Sequence, residues 1–231
     1  MLRLRSIFCC ALTYLVKLVY DPRPFSAESK QRAIRELVED TIPDRDFYLL
    51  VIGAILLAVC GIFLDSIPVL IASMIVAPLA SPLLLLSMGL AVGDRRLVAR
   101  ALAMLCVAMI LAVVLAGGAS IGAARFFGIS PQRVLISFSP NYFFDIVIAL
   151  VSGFIAAYGL MRTKVGAAMT GIGIAVSLMP PLVATGIEIA ALNRSLAEGA
   201  FTIFVLNVLG IVLASVFAFA LFGFCSEYKG V

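Results

Sequence analysis

Two pairs of prolines sit in apolar stretches that would otherwise stay helical. Pro78 and Pro82 fall in "SMIVAPLASP" (residues 73–82), and Pro180 and Pro181 fall in "VSLMPPLVAT" (residues 176–185). Proline lacks an N–H and its ring displaces the carbonyl four residues earlier, so each can open backbone groups. In lipid such groups survive only inside protein or along a polar cavity. Hydroxyls accompany both pairs. At helical spacing Ser66, Ser73, Ala77 and Ser81 share one face; Thr170, Ser177, Pro181, Thr185 and Glu188 share another. Opened backbone plus hydroxyls, with no nucleophile, is the chemistry of holding a small polar solute or ion. Any one hydroxyl is also explained by a bond to the carbonyl one turn earlier.

Asp145 is the acid placed inside an otherwise apolar span. It shares a small, polar helix face with Asn141, Ser152 and Ala156. Two readings stand. Asp145 binds a cation or exchanges a proton, or it sits at a helix N-terminus where negative charge suits the dipole. Glu188 lies near the end of its span and is expected to be solvated. Asn207 reads as interhelical glue, and Gly117, Gly118 and Gly122 as sites of close helix packing.

The sequence also excludes chemistry. It has no histidine, so there is no Ser-His dyad, His-ligated metal or His proton relay. Five cysteines show no paired metal spacing. No paired intramembrane carboxylates suggest an enzyme. No metal, cofactor or nucleic-acid partner is expected.

What must position these residues is a membrane-embedded scaffold. Of 231 residues, 63% are hydrophobic and 13% charged, and the mean hydropathy is +1.17. A soluble domain cannot hide that much apolar surface, so the lipid bilayer is the expected partner. Six stretches approach the roughly 20 apolar residues that a spanning helix needs: residues 47–64, 67–92, 97–126, 142–160, 165–192 and 197–224. Period-2 patterning is absent, which argues against a lipid-facing β-barrel. Eight of the 17 Lys and Arg precede the first stretch, and only Arg125, Arg133 and Arg194 fall on the opposite side from the rest. The positive-inside rule then places both termini in the cytoplasm of a multi-pass inner (plasma) membrane protein.

Within residues 1–45, the short apolar run 6–20 reads as a helix lying in the interface. Residues 24–46 read as a short polar helix, capped by Ser26 or Ser29 and ended by Pro43. Gly93-Asp94 reads as a left-handed stop followed by an N-cap, and Asp65-Ser66 as a tight hairpin. Residues 46–126 and 141–231 form two halves joined by an external loop, 127–140.

The halves resemble each other. Pro78 falls on Pro181 and Leu79 on Leu182. "GDRRLVARA" resembles "LNRSLAEGA", and "FYLLVIGAI" resembles "YFFDIVIAL". Each half reads as plain span, Pro-broken span, plain span. Three is odd, so the second copy enters the membrane inverted. Matched interruptions in inverted halves are a pointer to a transporter binding site. The expected fold is therefore an all-α, six-span bundle of two inverted three-helix repeats, with Pro-broken second and fifth helices.

The pattern S-x-x-V-x-I-x-x-M-x-x-A-P-x-x-x-P followed by G-L-x-x-G-D (residues 66–94) resembles the uncharacterized hydrophobic domain family of prokaryotic membrane proteins, domain of unknown function 389. "SPNYFFDIVIALVSG" and "GIGIAVSLMPPLVATG" are similar to its later motifs. The resemblance covers roughly residues 46–222, and Asp65 stands where a neutral amide is expected. The family name implies no activity. The repeat itself points to a secondary transporter or ion-coupled carrier of a small solute, in a chain expected to form a homo-oligomer. An oligomeric channel and a non-transporting scaffold or sensor are the alternatives. For orientation, single cysteines replacing Ser66, Arg133 and Arg194, in a background freed of native cysteines, are expected to react with an impermeant reagent outside intact cells. A cytoplasmic Arg133 with an external Arg96 would reverse it.

Overall fold

The computed structural model describes residues 25, 27–128, 142–161 and 167–224, except the side chains of residues 27 and 167–177. The apolar run 6–20 and the loop 129–141 lie outside the described residues. Among the described residues there are eight helices and no strands: α1 (Ala27–Asp40), α2 (Arg45–Phe63), α3 (Ile67–Val76), α4 (Ala80–Val92), α5 (Arg95–Phe127), α6 (Tyr142–Met161), α7 (Ala167–Ala190) and α8 (Arg194–Leu221).

The helix ends follow their residues. Asp44 caps α2 by accepting from the Phe47 N–H at 2.8 Å, and Asp94 caps α5 through the Arg96 N–H at 2.8 Å. Gly93 ends α4 in the left-handed region, at φ 82°. The α2–α3 hairpin is as tight as its sequence requires. Asp65 takes φ 51°, and the Ser66 N–H returns to the Gly61 carbonyl at 2.9 Å. A left-handed residue there favours glycine, asparagine or aspartate, which accounts for both the expected amide and the observed acid. Ser29 lies inside α1 instead of capping it, and Ser26 is outside the described residues.

Among the described residues four helices, α2, α5, α6 and α8, are long and apolar enough to cross a membrane. The pair α3 and α4 passes as a fifth span bent by 52°. The expected break in the second stretch is thus present, at Ala77–Leu79. The expected break in the fifth is not: α7 runs through Pro180 and Pro181 without stopping. The difference is positional. Pro78 removes the donor that the Met74 carbonyl needs, and Ala77 leaves helical geometry at ψ 120°. The residue before a proline is pushed away from the α region. In α7 the neighbouring helices hold the backbone on course through two such residues.

Helix α7 is the centre of the bundle. It packs against α2, α3, α4, α5, α6 and α8. All its side chains from Leu178 to Glu188 are buried. A helix buried all round must be approached closely, and the contacts are built from small residues. A Cβ on Gly186 would lie 2.9 Å from the Val113 Cα of α5, and one on Gly117 would lie 3.1 Å from the Gly186 carbonyl oxygen. Between α6 and α8, a Cβ on Gly153 would lie 2.8 Å from the Ile211 Cα. There the Ser215 hydroxyl donates to the Gly153 carbonyl at 2.9 Å. Gly118 and Gly122, expected at helix contacts, have open space around them. They occupy the other face of α5. The interior is rich in alanine (Ala54, Ala58, Ala108, Ala112, Ala116, Ala149, Ala156 and Ala157 are buried), whereas Leu49, Ile110, Val114, Phe143, Val151 and Leu213 are exposed. Small side chains inside and large ones outside suit a lipid solvent.

Helix α1 closes one end of the bundle. Its Ala33 and Leu37 are buried, and Lys30 is buried with its ammonium donating to the Gly223 carbonyl at 3.1 Å. Arg100 of α5 donates to the Thr41 carbonyl at 3.0 Å and the Val38 carbonyl at 3.2 Å, placing positive charge on the carbonyl end of α1. Gly153→Ala is expected to destabilise the fold by about 1–3 kcal/mol through overpacking. Gly118→Ala is expected to stay within about 0.5 kcal/mol of wild type. Thermal unfolding of both purified variants checks the contrast.

Candidate functional site

The prolines do not contribute equally. Pro78 leaves the Met74 carbonyl without its donor one turn on, and Ala77 makes the last α3 bond, to Ser73 at 3.1 Å. Pro82 is the third residue of α4, where an N–H would have no intrahelical partner, so it opens nothing. In α7, Pro180 and Pro181 deprive the Val176 and Ser177 carbonyls of their donors. The groups that the prolines free are therefore carbonyls, which are acceptors.

The hydroxyls are largely occupied. Ser73 is buried and donates to the Leu70 carbonyl at 2.7 Å. Thr185 is buried and donates to the Pro181 carbonyl at 2.8 Å. Ser81 turns toward α1, donating to the Asp40 carboxylate at 3.2 Å. Pro82, Pro180 and Pro181 are buried, and Pro78 is half-buried. Asp145 is half-buried in the first turn of α6, the location that the dipole reading requires. Asn141 lies outside the described residues, as does the Ser177 side chain. The helices on either side of the break, α3 and α4, both pack against α7, the helix that carries Pro180, Pro181 and Thr185.

The residue that sequence reasoning misplaced is Glu188. It is not solvated: only 4% of its surface is exposed. Among the described residues it has no hydrogen-bond or ion-pair partner. It lines a cavity of about 550 Å³ between α5, α7 and α8, at the end of the bundle opposite α1. Val113, Ile189, Leu192, Ala197 and Phe201 supply apolar wall, and Thr185 lies one turn below Glu188. At the rim, Arg194 and Glu198 are held together at 2.7 Å. The periodic signal was present, since Glu188 continues the Ser177–Pro181–Thr185 face. What hides it is the return of the chain. The α7–α8 turn brings the first turns of α8 back over it, through a left-handed Leu192 (φ 57°) and an Asn193 N–H bonded to the Glu188 carbonyl at 3.0 Å. Among the described residues, no three His, Cys, Asp or Glu side chains group as metal ligands.

The model of the family described as domain of unknown function (DUF389) matches residues 74–213, from the α3 residue before the break to the α8 helix beyond the cavity. The chain belongs to this family. Within its matched region fall the break, both α7 prolines and every residue lining the Glu188 cavity. An uncharacterized protein of Methanocaldococcus jannaschii is 29% identical over 213 residues, covering 87% of this chain. The chain spans 63% of that relative's length. No solved structure matches the chain.

A buried carboxylate facing mostly apolar wall destabilises the fold that contains it. Glu188→Gln keeps the shape and removes the charge. It is expected to raise stability by about 1–3 kcal/mol, read as a higher thermal midpoint in detergent near neutral pH. An unchanged or lower midpoint would show that the charge is compensated.

Proposed function

We propose that this DUF389 protein is a secondary transporter or ion-coupled carrier of a small solute. In this reading six spans form two inverted three-helix repeats, and the solute binds where the α3–α4 break meets the proline turn of α7, near the bilayer midplane. One observation carries it: the freed carbonyls of the two repeats are on helices that pack against each other. Backbone groups freed at membrane depth are how such carriers build a site. The packing supports the repeat too. Contact of α5 with α7 has its counterpart in α8 with α4, the pair that a pseudo-two-fold axis would exchange. Carbonyls freed at the α3–α4 break and by the α7 prolines favour a cation as solute or coupling ion. In this reading, supported by the charge distribution, the α1 end lies in the cytoplasm and the Glu188 cavity at the outer face. The exposed apolar face of α6, including Phe143, Ile148 and Val151, suits lipid or a second copy of the chain.

The scaffold or sensor reading is favoured by one feature. Helix α1 reaches α4, α5 and the end of α8 at once, through Asp40, Thr41 and Lys30. That is a way to couple a cytoplasmic segment to the bundle.

Solid-supported-membrane electrophysiology on reconstituted protein separates these readings. A panel of small cations, anions and amino acids is applied with and without a proton or sodium gradient. The carrier reading expects a solute-dependent transient current in wild type that falls at least about tenfold in Asp145→Asn if that residue couples the ion. A current unaffected in Asp145→Asn keeps transport and returns Asp145 to the helix dipole. Current that saturates at channel-like conductance favours the oligomeric pore. Signalling lost on removing residues 1–45, with no current from any solute, favours the sensor.

A further inference from the structure

We propose that the Glu188 cavity is a binding site for an organic monocation with an apolar body, such as an amine or quaternary ammonium compound. This deepens the carrier reading by naming a substrate class, but the binding itself does not depend on transport.

Size comes first. About 550 Å³ lies within the range of small-molecule pockets and far exceeds a bare metal ion. Alkali and alkaline-earth ions also need about six oxygens. The cavity offers the Glu188 carboxylate and the Thr185 hydroxyl; at its rim the Glu198 carboxylate accepts from Arg194 at 2.7 Å and the Asn193 amide oxygen from the Leu196 N–H at 3.4 Å. Charge comes next. Arg194 is engaged by Glu198 at 2.7 Å, so those two rim charges cancel. Glu188 is then the uncompensated charge of the cavity, 4% exposed and without a partner among the described residues. A buried carboxylate is stabilised most by a cation that brings few waters with it. An ammonium on a hydrocarbon body meets that condition, and an anion is repelled. The walls complete the fit. Val113, Ile189 and Ala197 match an apolar body, and Phe201 offers an aromatic face to a cation. The Thr185 hydroxyl gives its proton to the Pro181 carbonyl at 2.8 Å. Its lone pairs are left to accept from a ligand N–H.

The test is isothermal titration calorimetry on the purified full-length protein, with benzyltrimethylammonium and its uncharged isostere neopentylbenzene as probes. Wild type is expected to bind the cation at least about tenfold more tightly than the isostere. Glu188→Gln is expected to erase that preference. Asp65→Asn, which removes an exposed carboxylate at the same end of the bundle, is expected to retain it. Ala197→Leu fills the cavity with the carboxylate in place, and is expected to weaken both probes, which covers the case of a misfolded Glu188→Gln. Equal affinity of wild type for the two probes would overturn the proposal. So would binding to Glu188→Gln as tight as to wild type, or no cation binding by folded wild type. Cation binding without flux in proteoliposomes would uphold this site and remove the carrier reading.

Discussion

Everything in this bundle depends on a central helix that is enclosed on every side from Leu178 to Glu188. α7 is surrounded by α2, α3, α4, α5, α6 and α8, and its side chains from Leu178 to Glu188 are all buried. Six neighbours can reach one helix only if the contacts are small. Glycine and alanine at those contacts are therefore a geometric requirement of the arrangement, and dispersion between close backbones is the attraction that replaces the hydrophobic effect in lipid. α7 stays continuous through two prolines, while the second apolar stretch, where Ala77 leaves helical geometry before Pro78, bends by 52°.

Enclosure also sets what the prolines can do. A backbone carbonyl freed on a lipid-facing helix would cost several kcal/mol. Freed in the interior, it becomes an acceptor held in place by packing. The hydroxyls near the breaks are mostly occupied within their own helices. Ser73 serves the Leu70 carbonyl and Thr185 the Pro181 carbonyl. The carbonyls, more than the hydroxyls, are thus the polar surface of the interruptions. At the other end of α7, enclosure leaves a carboxylate facing a mostly apolar cavity. Glu188 is an expensive residue to bury unless something compensates its charge. Natural proteins retain such residues where function outweighs the loss of stability.

The α1 helix gives the bundle two unlike ends. At its end, Lys30, Asp40 and Arg100 tie the helix to α8, α4 and α5, so four elements are cross-linked by charge-assisted bonds. At the opposite end two tight turns, at Asp65 and Leu192, hold non-glycine residues in the left-handed region. Leucine has no side-chain polarity to ease that geometry. Its position is the wall of the Glu188 cavity.

Sequence alone determined the helical class, four of the apolar spans and the bent fifth, the cap at Asp94, the glycine stop at Gly93 and the break at Pro78. Each of these follows from local rules: apolar length, side-chain acceptors at helix starts, and a backbone restricted by proline. The family was legible as well, because its motif is a run of consecutive residues. Sequence could not tell that Pro180 and Pro181 would be spanned by continuous helix, that Gly117 but not Gly118 or Gly122 would touch a neighbour, or that Ser81 would face α1. Nor could it show Glu188 as buried, since a residue one turn from the end of a span reads as solvated until the next helix is folded over it. Those outcomes depend on which helices surround α7 and on how its chain returns through Leu192. Only tertiary structure decides them, because burial and enclosure belong to the neighbours of a residue and not to its position along the chain.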